Sequence, residues 1–140
     1  MIFKEGGRFF IEDLNNTVEI KRDTDVVDAF FAVRGKGSKV VVDEDCMFSA
    51  KVIIRNSDAH SILNDKGERI NPEKDVYIGK HVWVGYGANV LKGSYITANS
   101  IVGTQSVVTG TKLTEEGCVL AGNPAKIVKT GITWDRKRIL

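Results

Sequence analysis

The hydrophobic pattern is clearest between residues 78 and 108, where an aliphatic residue recurs at every sixth position. These residues are Ile78, Val84, Val90, Ile96, Val102 and Val108. Four places after each of the first five stands a small or β-branched residue: Val82, Ala88, Ser94, Ser100 and Ser106. A period of six fits neither a helix nor plain strand alternation, but it is typical of a solenoid. We predict an all-β fold of stacked parallel strands, with three faces and about 18 residues per coil, in preference to an ordinary small β domain.

The same period extends towards the N-terminus in two further sets. The first set is Val42, Phe48 and Ile54, and it predicts most of one coil over residues 40–56. The second set is Leu14, Ile20 and Val26, and it predicts an earlier and irregular coil. The end of the apolar column must be covered by large side chains at the terminal coil, and four aromatic residues are candidates for this plug. They are Phe9, Phe10, Phe30 and Phe31.

Two segments depart from the repeat. Residues 58–77 are rich in charge and contain Gly67 and Pro72, which predicts an exposed loop. Ile78 follows Ile54 by 24 positions, four repeats of six, so the loop is an excursion from an otherwise continuous solenoid. Residues 127–140 form a C-terminal tail, for which the sequence leaves a short helix and a strap equally open.

Composition narrows the class of protein. With 140 residues the chain is predicted to be one domain, residues 1–140, and a net charge of +2 gives no reason to expect nucleic acid as a partner. No apolar run reaches the length of a membrane span, so we expect a cytoplasmic protein. Cys46 and Cys118 are isolated, which predicts reduced, buried side chains with no metal between them.

Three motifs carry a family resemblance. Ile78-Gly-Lys-His-Val-Trp-Val-Gly85 lies in the regular repeat, Ser57-Asp-Ala-His-Ser-Ile62 opens the loop, and Gly122-Asn-Pro-Ala-Lys126 follows the decaying repeat. With these motifs the sequence resembles the hexapeptide-repeat acyltransferases, and among them the bacterial polysaccharide and sugar O-acetyltransferases. The likeness covers roughly residues 40–130. It implies a left-handed parallel β-helix, a hand that the usual preference for right-handed crossovers would not predict.

The resemblance implies a function. We expect an acetyl-CoA-dependent O-acetyltransferase that acts on a sugar hydroxyl in surface polysaccharide biosynthesis, as a homotrimer with active sites between subunits. Sugar N-acetylation and a non-catalytic binding or scaffold module remain alternatives. The γ-class carbonic anhydrases share the solenoid but bind zinc through three histidines, and this chain has only two. We therefore expect no metal.

The same resemblance assigns catalytic and acceptor-binding residues. His60 is expected to be the general base that takes the hydroxyl proton as the acceptor attacks the thioester directly, although a loop-anchoring role stays open. Trp83 is expected in the active site, where its indole could stack on a sugar ring or donate its N–H. His81, Asp58 and Asn64 are expected near the acceptor. Asp58 or Asn64 could orient the His60 ring, and His81 is a second candidate for catalysis.

A further set of residues is expected to bind the cofactor. Gly122, Asn123, Pro124, Ala125 and Lys126 resemble the segment that lies along the pantetheine arm of coenzyme A. Lys126 would be near the phosphates, together with Lys129 and Lys112. A capping turn with a solvated basic tail is the plainer interpretation. The set also contains Gly87, Ala88 and Ser106, since a backbone N–H near Gly87 or Ala88 could stabilise the oxyanion.

Overall fold

The computed structural model describes residues 1–140, which form 14 β-strands and no helix. The strands are β1 (Ile2–Ile11), β2 (Thr17–Ile20), β3 (Asp25–Val33), β4 (Lys39–Val42), β5 (Met47–Phe48), β6 (Val52–Arg55), β7 (Val76–Ile78), β8 (Trp83–Val84), β9 (Asn89–Val90), β10 (Tyr95–Ile96), β11 (Ile101–Val102), β12 (Val107–Val108), β13 (Val119–Gly122) and β14 (Ala125–Lys129). No helix capable of spanning a membrane is found. The predicted all-β solenoid is confirmed.

The strands stack as three faces of a parallel solenoid with about five coils. The first face contains β5, β8, β11 and β13 with the beginning of β3, and the second face contains β6, β9 and β12 with the rest of β3. The third face contains β2, β4, β7 and β10. Three corners join these faces, and we name each by the faces in chain order, for example the second-to-third corner.

The length of a coil changes along the chain. Ile96 pairs with Ile78, and Val102 with Val84, so partners are 18 residues apart as predicted. Nearer the N-terminus, Val42 pairs with Ile20 and Phe48 with Val26, which is a spacing of 22 residues.

The predicted early coil forms through Ile20 and Val26, and its added turn explains why the six-residue period fails at Leu14. Residues 34–38 form an added turn, in which Lys36 bridges to Leu14 through backbone hydrogen bonds. Leu14 belongs to a matching turn and is 55% exposed, whereas Val26 is completely buried. Residues 1–33 also build long strands, β1 and β3, where the sequence indicated only an irregular coil.

The apolar column forms as the repeat predicted. All six aliphatic residues of the regular repeat are buried, and so are the five small residues of the second set. Three of those small residues are serines whose hydroxyls lie inside the corners. Ser94, Ser100 and Ser106 accept hydrogen bonds from the backbone amides of Gly110, Cys118 and Gly122 in the next coil. A serine at this position therefore ties one coil to the next.

Gly79 and Gly85 are required by close packing between coils. Neither residue has a positive φ. A Cβ on Gly79 would lie 2.8 Å from the carbonyl oxygen of Ile96, and one on Gly85 would lie 2.7 Å from the amide nitrogen of Thr104. The backbone of the following coil passes too close for any side chain.

The N-terminal end of the column is covered by stacked rings. Phe9 stacks on Phe31 at 5.2 Å, and Phe31 stacks on Phe48 at 6.1 Å. Phe31 is fully buried, and Phe9 is the outermost ring. The other two predicted plugs lie outside the column, where Phe30 contacts Arg8 and Phe10 contacts Arg34. Strand alternation explains this difference, because neighbouring residues point to opposite faces.

Candidate active site

The loop that carries His60 leaves the solenoid at the second-to-third corner, after β6 ends at Arg55 and before β7 begins at Val76. The predicted excursion over residues 58–77 therefore ends two residues earlier than expected. Ala59 has a positive φ of 71°, a conformation that residues with a Cβ seldom adopt, and it turns the chain outward immediately before His60. His60 is exposed, and its ring makes no hydrogen bond within the chain.

Asn71 holds this part of the loop in place. Its side chain is only 7% exposed, and its Nδ2 donates to the backbone carbonyl of His60 and to the Asp58 carboxylate, both at 2.9 Å. Its Oδ1 accepts the amide of Ile62 at 2.8 Å. One amide group thus holds the backbone at His60 and Ile62 together with the side chain of Asp58. The sequence analysis missed Asn71, and the only local signal was its position before Pro72 in a turn-forming segment.

Asp58 faces a cavity beside the loop and does not contact the His60 ring. The Lys92 ammonium contacts the Asp58 carboxylate and, as the main cause, holds the pKa of Asp58 below its usual value against the opposing effect of burial. The cavity has a volume of about 390 Å³. Lys74, Lys92 and Lys112 line it together with Asp58. Three cations around one carboxylate make the cavity a place where an anionic group could bind.

Asn64 is used inside the loop. Its Oδ1 accepts the backbone amides of Lys66 and Glu68 at 3.0 Å, and its Nδ2 donates to the Glu68 side chain at 2.9 Å. These contacts are typical of a side chain that closes a turn. The structure therefore gives Asn64 a turn contact, and neither Asn64 nor Asp58 reaches the ring of His60.

Trp83 lies on the first face, between Met47 and Ile101 of the neighbouring coils. Its side chain is 36% exposed. In a three-sided coil the second-to-third corner is opposite the first face, so one chain places His60 and Trp83 on different sides of the solenoid. The structure does not bring these two predicted residues together within a single chain.

His81 is engaged on both sides of its ring. Its Nδ1 lies 2.7 Å from the Asp45 carboxylate and its Nε2 lies 2.8 Å from the backbone carbonyl of Trp134. Because both partners are acceptors, both contacts form together only when both ring nitrogens carry hydrogen. The Trp134 indole stacks on the imidazole at 4.1 Å. His81 is thus a latch for the C-terminal tail, which forms a strap and not a helix.

The charge on Asp45 strengthens this latch. Burial would raise the pKa of the Asp45 carboxyl, but hydrogen bonds from His81 and Arg136 outweigh burial and hold that pKa below its usual value. A carboxyl that is more acidic in the folded than in the unfolded chain adds stability at pH values above its unfolded pKa, and this contribution is lost as pH falls through the folded pKa.

We therefore predict a pH-dependent effect of Asp45→Asn. Asparagine tolerates the positive φ of 60° at this corner, so the substitution removes the charge and leaves the backbone unchanged. At neutral pH the thermal midpoint should fall by a few degrees, roughly the effect of 1 kcal/mol in a domain of this size. The difference from the unmodified chain should shrink below about pH 4. Thermal unfolding followed by circular dichroism across pH measures it, and a constant difference at all pH values would contradict it.

The residues predicted to bind the cofactor divide into a buried and an accessible group. Ala88, Ser106 and Ala125 are buried, so their side chains face the inside of the solenoid. The strands β13 and β14 pair as an antiparallel hairpin. The accessible group lies in the turn of this hairpin or directly after it. Its members are Gly122, Asn123, Pro124 and Lys126. The hairpin extends the first face, whereas Lys112 lies apart from it, in the cavity beside the loop.

Gly87 and Ala88, the predicted oxyanion donors, already have partners. The Gly87 amide donates to Ala50 at 3.0 Å, and the Ala88 amide donates to Gly85 at 3.2 Å. The amides of Tyr86 and Thr104 make no hydrogen bond within the chain. Both residues are exposed at the first-to-second corner in successive coils, and Tyr86 follows shortly after Trp83 in the sequence. The sequence therefore named two amides that are already bonded, and the unbonded amides of Tyr86 and Thr104 lie at the same corner.

Comparison with known proteins identifies the class. No family model matches the chain. Over 122 residues it is 42% identical to a polysialic acid O-acetyltransferase of Neisseria meningitidis, an alignment that covers 86% of this chain and 56% of that protein. Over 120 residues it is 40% identical to a polysialic acid O-acetyltransferase of Escherichia coli O1:K1 / APEC, covering 85% and 38%. The chain thus spans about half or less of the length of these relatives.

Solved structures agree with the sequence matches. The crystal structure of the polysialic acid O-acetyltransferase OatWY superposes with a TM-score of 0.86 at 37% identity, covering 95% of this chain and 63% of that one. The polySia-specific acetyltransferase NeuO superposes with a TM-score of 0.75 at 32% identity, covering 94% and 75%. The fold is the left-handed parallel β-helix. The chain belongs to the hexapeptide-repeat acyltransferase family.

Proposed function

We propose that this chain is an acetyl-CoA-dependent O-acetyltransferase that acts on a sugar hydroxyl of a surface polysaccharide. The observation that carries the proposal is His60, an exposed imidazole free of hydrogen bonds on a backbone that Asn71 holds at the His60 carbonyl and the Ile62 amide. Imidazole is the side chain that enzymes most often use as a general base. The names of the relatives, which are polysialic acid O-acetyltransferases, support an acidic polysaccharide as the first acceptor to test.

The reaction we propose is a direct transfer. His60 takes the proton of the acceptor hydroxyl as the oxygen attacks the thioester carbonyl, which gives a tetrahedral oxyanion. In this scheme the free amide of Tyr86 at the first-to-second corner donates to that oxygen. Collapse of the intermediate breaks the carbon–sulfur bond, and the imidazolium returns its proton to the departing CoA thiolate. No group of the enzyme is acylated.

We propose that the donor, acetyl-CoA, binds beside the same first-to-second corner. The accessible turn Gly122-Asn123-Pro124 has little side-chain bulk and lies on the hairpin that extends the first face, where a thin pantetheine arm could approach the backbone. Lys126 supplies positive charge beside it. The cavity lined by Lys74, Lys92 and Lys112 supports the binding of a further anionic group, from the donor phosphates or from an acidic acceptor.

We infer that the active unit is a homotrimer with sites between subunits. Within one chain His60 and Trp83 lie on opposite sides of the solenoid, so a site containing both needs a second copy of the chain. In this arrangement one subunit supplies His60, and its neighbour supplies Trp83 and the free amide of Tyr86. Positioning of acceptor and thioester in the shared groove would account for much of the rate enhancement.

Release of CoA thiol from acetyl-CoA, measured with a panel of acceptors, tests the function. The panel contains polysialic acid, a neutral polysaccharide, neutral oligosaccharides and an amino sugar. We expect release that depends on a polysaccharide acceptor, with an ester in the product. Release only with the amino sugar, and an amide product, would instead indicate N-acetylation. Binding of CoA without turnover on any acceptor would support a non-catalytic module.

Mixed trimers test the shared site. We predict that His60→Ala and Trp83→Ala chains, each inactive alone, regain activity when they are unfolded together and refolded as a mixture. In a mixed trimer some sites combine an intact His60 with an intact Trp83. A 1:1 mixture should recover on the order of a quarter of the unmodified activity, because each site draws its two halves independently. Absence of recovery, with trimers shown by light scattering, would place both residues in one subunit's site.

A further inference from the structure

The C-terminal strap, residues 130–136, runs back along the third-to-first corner across all the coils. At that corner one residue of each coil has a positive φ, and the strap contacts every one of them. They are Asp23, Asp45, His81, Asn99 and Gly117. The strap begins where the Ile132 amide donates to Gly117 at 3.0 Å and ends where the Arg136 guanidinium donates to the Asp23 carbonyl at 3.3 Å.

The strap is fixed on both sides of Trp134. Before it, the Ile132 carbonyl oxygen would be 2.3 Å from a Cβ on Gly117, so the strap backbone fills the space that a side chain would need. After it, Arg136 donates to the carboxylates of Asp45 at 2.5 Å and Asp25 at 3.2 Å, and to the carbonyl of Cys46 at 3.1 Å.

Trp134 itself is held between these anchors. Its indole Nε1 donates to the His81 carbonyl at 2.8 Å, its own carbonyl meets the His81 ring, and its side chain is only 8% exposed. The Trp134 ring also contacts Trp83, with centroids 6.2 Å apart and planes tilted by 51°. A rigid, buried indole thus packs against the partly exposed indole that the proposed function places in the active site.

We propose that Trp134 is a positioning residue for acyl transfer, which fixes the ring of Trp83 and through it the acceptor. This inference rests on the proposed function. It assigns the strap a role beyond capping: the strap connects the coils nearest the N-terminus to the wall of the site. Small displacements of a positioning group can reduce a rate by up to about 100-fold, so a loosened Trp83 should be measurable in catalysis.

Two variants at position 134 provide the test, because the chain contains only two tryptophans and each variant leaves Trp83 as the single tryptophan, which can be excited selectively. Trp134→Phe keeps an aromatic ring in the stack, and Trp134→Leu does not. We expect acrylamide to quench Trp83 more strongly in Trp134→Leu than in Trp134→Phe. We also expect Trp134→Leu to lose about tenfold in kcat/KM for the acceptor while the KM for acetyl-CoA changes less than about twofold. Trp134→Phe should recover most of that loss.

Two further variants separate positioning from folding. Thr133→Ala removes only a 3.4 Å contact to Asn99 and should match the unmodified chain. Arg136→Gln keeps both tryptophans but removes the far anchor and the guanidinium that lies 5.3 Å from the Trp134 ring centroid. It should loosen Trp134 less than Trp134→Leu does and show a smaller acceptor-specific loss. If Trp134→Leu does not fold, Arg136→Gln and Trp134→Phe decide the question, and unchanged acceptor kinetics in both would overturn the proposal.

The outcomes distinguish this inference from the proposed function. If the unmodified chain transfers no acetyl group to any acceptor, the proposed function fails and the inference fails with it. If the unmodified chain is active and Trp134→Leu has the same acceptor kinetics and the same quenching as Trp134→Phe, only the inference fails. Equal losses for acceptor and acetyl-CoA, in proportion to a loss of folded protein, would show a purely structural role and would also overturn it.

Discussion

Replacement of His60 by alanine should lower acceptor-dependent release of CoA by at least about 100-fold, the usual contribution of a general base. The structure gives a reason to expect a catalytic and not a structural effect. The ring of His60 is exposed and makes no hydrogen bond within the chain, and the loop is held by Asn71 through backbone atoms that alanine retains. The thermal midpoint should therefore stay within about 2 °C of the unmodified value, since substitutions at such exposed positions change stability little.

The chain offers a matched control for this experiment, because it contains only one other histidine. His81→Asn keeps a residue that tolerates the positive φ of 54° and removes the ring that latches the strap. Its effect should be mainly on stability, with a much smaller loss of turnover than His60→Ala. A His60→Ala protein with unmodified activity, or a larger catalytic loss in His81→Asn, would reject His60 as the base. Both rates are measured with the acceptor that the panel identifies.

Much of the fold could be predicted because one local rule repeats. The inward residues from Ile78 to Val108 each face the column, and the small residues four places later fill the corners. A period read from such residues fixes both the coil length and the faces. The rule does not extend to residues 1–40, because the 22-residue coils add turns in which Leu14 and Lys36 pair outside the column.

The site was less predictable because its contacts cross large distances in sequence. His81 and Trp134 are 53 positions apart, and Arg136 and Asp23 are 113 apart. No period connects them, so the latch role of His81 and the path of the strap could not be found from the pattern. Lys74, Lys92 and Lys112 come together for the same reason, from three separate turns of the solenoid. Asn71 had only a turn signal, although it is the residue that fixes the loop.

The second large effect should come from Phe31→Ala, which we expect to lower the free energy of unfolding by about 3 to 5 kcal/mol. Phe31 is fully buried between the rings of Phe9 and Phe48 at the end of the column. A solenoid core is only one side chain wide, so each coil packs on its two neighbours alone and has no second layer to fill a cavity. Urea unfolding at one fixed protein concentration measures the change, because association would otherwise shift the midpoint.

Phe10→Ala provides the control for the ring stack. Phe10 lies beside Phe9 on β1 but outside the column, where it is 38% exposed and its ring is 4.7 Å from the Arg34 guanidinium. Its loss should cost about 1 kcal/mol or less, the usual range for one exposed cation–π pair. Equal effects of the two substitutions would show that the N-terminal coils add little to stability. A large effect confined to Phe31 would show that the aromatic stack holds the first coils, and with them the Asp23 and Asp25 contacts that anchor the strap, on the rest of the solenoid.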